Sequence, residues 1–343
     1  MRCFFDPAEL AHDPQFFLMR GRLRPNYEVP ARAQALLAGA RAAGLVPEPP
    51  TIADPLPSIG RVHTAAYLEF LREAPAHWAA LADAGAEIVS GMHLVPEMAQ
   101  NAARLPSHVV GRAGFFTADT ACPIAPATWG SALAAAACAV SAADAVAAGG
   151  RAYALCRPPG HHAYAARAGG HCYLNNAAIA VERLRAGGAA RVGVLDIDAH
   201  HGNGTQHIFW HRADVVTASL HGDPDGYYPW FVGRAHETGE GAGDGANRNY
   251  PLPLGSAGEA WLAALDAALA FLAQARVEAL VVCLGFDASV HEPLAFLRVQ
   301  DDAFARAGTA ITAFGRPLAI IQEGGYAVDH LARLLGHFLH GLG

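Results

Sequence analysis

Short apolar runs rich in β-branched residues alternate along the chain with longer stretches of helical periodicity. The apolar runs lie at residues 3–5, 152–156, 191–197, 214–220, 278–285 and 317–323. The stretches of helical periodicity lie at residues 174–187, 204–211, 257–275, 300–314 and 328–341. Continuous apolar strands separated by helices are typical of a mostly parallel sheet with helices on both faces. No repeat or linker divides the chain, so the pattern predicts a single α/β domain over residues 1–343.

The segment at about residues 76–125 interrupts this pattern, because its periodicity is weak. A segment this long inside a compact domain usually has a function, either packing against a partner or covering a site. We therefore treat residues 76–125 as a loop insertion.

The composition is that of a protein with a large core, since 52% of the 343 residues are hydrophobic and 16% are charged. A net charge of -7 without a run of Lys or Arg argues against a nucleic-acid partner. The Ala-rich stretch 132–150 contains Asp144 and predicts a buried helix, not a membrane span. Six scattered cysteines without a C-x-x-C pair, and no evident secretory signal, favour a cytoplasmic location.

Polar side chains follow the apolar runs at the points where the predicted strands end. In a parallel α/β sheet, ligands bind beyond these carboxyl ends. The side chains concerned are His161, His162, Asp198, His200, His201, Ser219, His221, Asp287 and Tyr326. The sheet therefore predicts that several of them converge on one site.

Asp198 and His200 are two residues apart, so on a strand or its extension both side chains point to the same face. With Asp287 they would supply one nitrogen and two carboxylate ligands. Three protein ligands with an open position are typical of a catalytic zinc site. Any one of these residues, taken alone, is better explained as a cap or turn residue, and it is the set that favours the metal.

The pair His161-His162 follows Pro158-Pro159-Gly160, a rigid turn that would fix both imidazoles, although an isolated His pair is usually a polar turn. Beside a metal, one imidazole can accept a proton from water and one can protonate a leaving amine. Such imidazoles need a partner on the other ring nitrogen, and Asp196 and Asn203 are available. Tyr326 follows two glycines and would direct its phenol toward a developing oxyanion.

Together these motifs resemble the zinc-dependent histone deacetylase family over roughly residues 125–330. The motifs that carry the resemblance are RPPGHHA, GGHCYLNNAAIAV, LDIDAHHGNGTQHIF, ASLHGDP, LGFDAS and EGGY, in that order. The segments RGRLRPNYEVPARAQ, GDPDGYYPWFVGRAHETGEGAG and HEPLAFLRV are more particularly similar to bacterial acetylpolyamine amidohydrolases. No single motif is decisive, but the combination is specific.

The resemblance implies an arginase/deacetylase-like fold with about eight strands and a defined set of site residues. It assigns the zinc ligands to Asp198, His200 and Asp287, and the catalytic groups to His161, His162, Asp196, Asn203 and Tyr326. It also implies a structural potassium ion held by Ser219 and by the backbone carbonyls of Asp196, Asp198, His200 and Leu220. The substrate residues that it indicates are Asp119, Gly170, His171, Tyr228 and Leu294.

Some of these positions depart from the relatives. His171 stands where relatives place a Tyr or Phe wall of the substrate tunnel, and Val110 stands where polyamine-hydrolysing relatives carry an acid. Asp119 remains a candidate for binding the substrate amine, with helix or turn capping as an equal alternative. The resemblance also implies that the insertion at 76–125 corresponds to a segment through which such amidohydrolases dimerise, so we expect a homodimer with a narrowed active-site mouth.

The leading functional hypothesis is removal of acetyl groups from small acetylated amines, which would yield acetate and free amine. Deacylation of acyl-lysine in proteins or peptides is the main alternative, and a non-catalytic acetyl-ligand sensor is a third. An arginase-like ureohydrolase with two manganese ions would need a carboxylate two residues beyond Asp287, where this chain has Ser289.

Overall fold

The structure is a computed structural model that describes residues 1–101, 104–294 and 296–343. The strands within these residues are β1 (Arg2–Phe4), β2 (Phe16–Met19), β3 (Arg22–Pro25), β4 (Pro47–Glu48), β5 (Arg151–Ala154), β6 (Val192–Asp196), β7 (Val215–Gly222), β8 (Asn247–Leu252), β9 (Ala279–Leu284) and β10 (Leu318–Gln322). The helices are α1 (Pro30–Ala42), α2 (Leu56–Ile59), α3 (Ala65–Ala79), α4 (Pro96–Gln100), α5 (Val109–Phe116), α6 (Thr128–Ala147), α7 (Asn176–Ala186), α8 (Asn203–Phe209), α9 (Gly258–Gln274), α10 (Asp301–Ala313) and α11 (Val328–Leu342).

Eight of the strands form one parallel sheet in the order β4-β1-β5-β10-β9-β6-β7-β8. Strands β2 and β3 form a separate antiparallel hairpin. All six apolar runs of the sequence lie in the large sheet, so the predicted fold class is confirmed. The two edge strands, β4 and β8, were not predicted from the apolar runs, because β4 has two residues and β8 alternates buried and exposed positions.

The alternation of side chains along each strand builds two separate cores, one on each face of the sheet. On β9, Val281 and Cys283 belong to the core beneath α3, α5, α6 and α7. Leu280 and Val282 face the opposite way, into the core covered by α1, α9, α10 and α11. A strand buried on both faces needs apolar residues at every position, which explains the continuous runs.

Helix α6 explains the Ala-rich stretch of the sequence. Of the described helices it alone is long and apolar enough to cross a membrane by length and composition, and 72% of its apolar window is buried inside the protein. Its small side chains pack closely against β5 and α7. This is the packing of a core helix.

The insertion at 76–125 begins in the last turn of α3 and contains the short helices α4 and α5. The stretch VVGRAGFF forms α5 in full, and Val109, Ala113 and Phe116 point from it into the core. Residues 102 and 103 of the insertion lie outside the described residues. After α5 the chain runs to Asp119, beside the carboxyl ends of the central strands.

Candidate metal and catalytic site

The two strands at the centre of the sheet place three metal-ligand side chains together. Asp198 and His200 follow β6, and Asp287 follows the neighbouring strand β9. One donor atom of each residue lies within 4.8 Å of the other two, the one such cluster found among the described residues. Nδ1 of His200 is 3.0 Å from Oδ2 of Asp287 and 3.2 Å from Oδ1 of Asp198.

The electrostatics of this cluster favour a bound cation. Asp198 and Asp287 are both fully buried, and burial of paired carboxylates is costly without a positive charge. Burial opposes a charged imidazole at His200, but Asp287 and Asp198 outweigh it and raise the pKa of His200 to about 9. One imidazole nitrogen and two carboxylates in a polar pocket are a donor set that fits zinc, so these residues fit the ion that the sequence predicts.

Two imidazoles lie beside the cluster, and each has a different partner. The ring centroids of His161 and His162 are 4.0 Å apart. Nδ1 of His161 donates to Oδ2 of Asp196 at 2.9 Å, and its Nε2 lies 3.8 Å from Oδ1 of Asp198. Burial opposes a charged ring, but Asp196 and Asp198 outweigh it and raise the pKa of His161 well above its usual value.

His162 has a neutral partner instead of a carboxylate. The amide nitrogen of Asn203 donates to the hydroxyl of Tyr164 at 2.7 Å, so the amide oxygen faces His162 and accepts from its Nδ1 at 2.6 Å. This arrangement fixes the tautomer and leaves Nε2 of His162 as the free base. Burial, with the charges of His161 and His200, lowers the pKa of His162 well below its usual value.

Tyr326 lies in the loop between β10 and α11, and several side chains form hydrogen bonds with the backbone of this loop. The amide of Gly324 donates to Oδ2 of Asp198 at 2.8 Å, which ties the loop to a metal ligand. A Cβ at position 324 would collide with the carboxylates of Asp198 and Asp287, so glycine is needed for this close approach. The guanidinium of Arg32 lies 4.8 Å from the ring centroid of Tyr326.

Asp119 from the insertion holds together a turn at the site. Its carboxylate accepts from the amides of Ala121 at 2.8 Å and Gly170 at 3.1 Å, and from the hydroxyl of Tyr228 at 2.6 Å. A Cβ at Gly170, where φ is 51°, would collide with the ring of His162. The Tyr228 ring packs edge-on against His162 with centroids 4.9 Å apart. The structure therefore brings Asp119, Gly170 and Tyr228 beside the imidazole of His162.

The remaining predicted substrate residues lie farther out. The ring centroid of His171 is 5.8 Å from that of Tyr326 and 5.5 Å from that of Phe17. Burial lowers the pKa of His171 to about 4, so its ring is a neutral imidazole. Leu294 is 37% exposed, and its carbonyl accepts from the hydroxyl of Tyr227 at 3.4 Å.

Two residues of the predicted potassium site, Asp196 and Ser219, are neighbours in the sheet. Asp196 and Ser219 are paired in register across β6 and β7, and both line a small internal cavity. The hydroxyl of Ser219 lies 2.8 Å from Nδ1 of His221.

Several residues at the site were missed in the sequence. Tyr227 stacks on His200 with ring centroids 4.5 Å apart, and Glu323 accepts from the backbone amides of Gly160 and His161 at 2.7 and 3.0 Å. Glu323 stands in the EGGY motif and Arg32 in the N-terminal segment that resembles amidohydrolases. The motifs that contain Glu323 and Arg32 were the available signal for these two residues. The contacts of Glu323 and Arg32 could not be predicted, because they join residues far apart in the chain.

A model of the histone deacetylase domain matches residues 26–342. Acetylpolyamine amidohydrolase 1 of Pseudomonas aeruginosa is 43% identical over 322 residues, which cover 93% of this chain and 92% of that protein. The acetylpolyamine amidohydrolase of Mycoplana ramosa is 38% identical over 343 residues, which cover 100% of this chain and 99% of that protein.

A crystal structure of acetylpolyamine aminohydrolase from Burkholderia pseudomallei has a TM-score of 0.96 and 41% identity to this chain. The matched region covers 100% of this chain and 98% of the Burkholderia chain. Fold and site together define a hydrolase that acts on amide bonds. The chain belongs to the histone deacetylase family, which confirms the resemblance seen in the sequence.

Proposed function

We propose that this protein is a zinc-dependent amidohydrolase that removes acetyl groups from small acetylated amines. The observation that carries the proposal is the placement of the cluster Asp198, His200 and Asp287 directly beside His161 and His162. The relatives named acetylpolyamine amidohydrolases support the same chemistry. The products would be acetate and the free amine.

Asp198, His200 and Asp287 would hold the zinc ion. When bound, zinc polarises an acyl oxygen and lowers the pKa of water. Tyr227 stacks against the His200 ring and fixes its orientation. Residues around the cluster therefore need only orient the amide and move protons.

His162 is the group that accepts the proton of the attacking water, because its ring is neutral and Nε2 carries the free lone pair. It then delivers this proton to the nitrogen of the departing amine. His161, kept protonated by Asp196, supplies a positive charge where negative charge develops. The Tyr326 hydroxyl donates a hydrogen bond to the developing oxyanion.

The proposed preference for a small substrate concerns the surroundings of these groups. Tyr228 packs against His162, His171 lies beside Tyr326, and Asp119 of the insertion accepts from the Tyr228 hydroxyl. The insertion also exposes large apolar side chains, which are Met92, Val95, Met98, Leu105 and Val110. Exposed apolar patches mark interaction surfaces, so we propose that they form a homodimer interface that narrows the mouth.

Two further parts of the proposal concern ions and location. The neighbouring placement of Asp196 and Ser219 beside an internal cavity supports a potassium ion there. The six cysteines, all at described positions, are buried and unpaired, which supports a reducing cytoplasmic location.

The test is acetate release by the zinc-loaded protein. Acetylputrescine or acetylcadaverine would be compared with an acetyl-lysine peptide at matched concentrations, with Asp198→Ala as the blank. Faster turnover of the diamines is the expected result. Preference for the peptide would assign the protein to the acyl-lysine deacylases instead, and no turnover above the blank would favour the sensor hypothesis.

A further inference from the structure

Glu292 is a buried carboxylate that the mechanism above does not use. It is 6% exposed and lies in the loop that joins β9 to α10, five residues after Asp287. Its oxygens accept from the backbone amide of Tyr326 at 2.9 and 3.0 Å and from that of Ala327 at 2.9 Å. Hydrogen bonds from amides to a carboxylate are stronger than those between neutral groups.

The same loop is held from its other side by Arg32. The guanidinium donates to the carbonyl of Gly325 at 2.5 Å and to that of Glu323 at 2.7 Å, while Glu28 fixes its remaining nitrogen at 2.6 Å. The guanidinium of Arg32 therefore holds the carbonyls before Tyr326, and the carboxyl group of Glu292 holds the amides at and after it. Arg32 and Glu292 together hold the backbone on both sides of Tyr326, and we call this pair of side chains the backbone clamp.

This clamp matters because, within the described part of the chain, the hydroxyl of Tyr326 has no hydrogen bond to a protein group. The ring is packed by Arg32 and His171, and the position of the hydroxyl depends on the backbone that carries the ring. Hydrogen bonding toward an oxyanion is sensitive to the donor's position, since a displacement of 1 Å can cost about a hundredfold in rate. Loosening the amides of Tyr326 and Ala327 would produce such a displacement.

We propose that Glu292 is a positioning residue for Tyr326, acting through the two backbone amides that its carboxylate accepts. Glu292 belongs neither to the cluster of Asp198, His200 and Asp287 nor to the proposed catalytic groups. It contributes to turnover only by holding the tyrosine hydroxyl where the oxyanion forms. The inference rests on the proposed deacetylase function.

The test is a double-mutant cycle on the zinc-loaded protein with Glu292→Gln, Tyr326→Phe and both together. Gln keeps the size but offers one acceptor and adds a donor that faces the amides. We expect Glu292→Gln to lower kcat by roughly 10-fold with little change in KM, and Tyr326→Phe to lower kcat by roughly a hundredfold or more. In the double variant kcat should equal that of Tyr326→Phe, because the clamp has nothing left to position.

The matched control is Glu278→Gln. Glu278 also accepts a backbone amide, that of Ala190 at 2.6 Å, but at the amino end of β9. It should leave kcat unchanged, and zinc content should stay the same in every variant. If the two losses multiply in the double variant, or if Glu292→Gln acts through KM or zinc loss, the proposal is overturned.

Hydrogen exchange provides a readout that does not need turnover. Glu292→Gln should speed exchange at the amides of Tyr326 and Ala327 by about 10-fold or more, with the core strands unaffected. Unchanged exchange there would contradict the clamp. A wild-type protein that hydrolyses no acetylated amine would overturn the proposed function, while the exchange result would still decide the role of Glu292.

Discussion

The imidazole of His162 donates its Nδ1 proton to the amide oxygen of Asn203 at 2.6 Å, whereas the adjacent imidazole of His161 faces a carboxylate. Two neighbouring imidazole rings therefore lie in different electrostatic environments, one beside a neutral amide and the other beside a carboxylate. The neutral partner keeps His162 able to accept a proton at a pH where His161 already carries one.

Asn203→Asp should raise the pKa of His162. A carboxylate at hydrogen-bond distance favours the protonated ring and typically raises a pKa by about 1–3 units. Because catalysis needs neutral His162, the acidic limb of the kcat/KM profile should move to higher pH. The profile of wild type and variant between pH 5 and 9 measures the shift, and an unmoved acidic limb would show that another group is the base.

Metal analysis should find one zinc ion per chain. Asp198→Ala should bind none and lose about a thousandfold or more in turnover, since Lewis-acid stabilisation is worth several kcal/mol. Asp144→Ala, which removes a surface partner of Arg183, is the matched control and should keep both metal and activity. Two metal ions per chain would instead indicate an arginase-like site, which Ser289 argues against.

Asp119→Asn and Tyr228→Phe should have similar effects. Tyr228→Phe removes a hydroxyl that donates to Asp119, and asparagine at 119 leaves one acceptor oxygen for three donors, so both variants loosen the contacts around the turn at Gly170. Because three protein donors already use the Asp119 carboxylate, kcat/KM should fall to the same extent for acetylcadaverine and for an uncharged acetylated alkylamine. A loss confined to acetylcadaverine under Asp119→Asn would assign the carboxylate to the substrate ammonium.

His63 should make the fold sensitive to acid. Its Nε2 accepts from the amide of Asn175 at 2.9 Å, and burial lowers the pKa of His63 to about 4. The unfolded value is near 6.5, so the stabilisation is complete above pH ~6.5 and is lost as pH falls toward ~4, at a cost of about 3 kcal/mol. Urea unfolding of the zinc-free protein at pH 7 and pH 4 measures this loss in the free energy of unfolding.

The matched variants for that experiment are His63→Gln and His340→Gln. Glutamine at 63 keeps an acceptor for Asn175 but does not titrate, so the pH dependence of its free energy of unfolding should be weaker than in wild type. His340 is exposed, and its variant should keep the full dependence. Equal pH dependence in all three proteins would exclude His63 as the acid-sensitive group.

Whether a feature could be predicted from the sequence depended on how far apart in the chain its interacting residues lie. Buried central strands were predicted because both of their faces need apolar residues. The candidate metal cluster was predicted because Asp198 and His200 are close in sequence and Asp287 follows another apolar run. The edge strand β8 escaped because one of its faces is solvated. The contact of Arg32 with Gly325 spans 293 residues, and local patterns carry no information about such pairs.

The order of the strands has a consequence for biosynthesis. Strand β10 is the last strand of the chain, yet it lies between β5 and β9 in the middle of the sheet. Until residue 322 has been made, β5 and β9 each present an unpaired inner edge. Such edges bind other chains, and pairing of distant segments is slow. A nascent chain would therefore hold two partial sheets until its last strand is made, and the loop with Tyr326 would follow the strand that joins them.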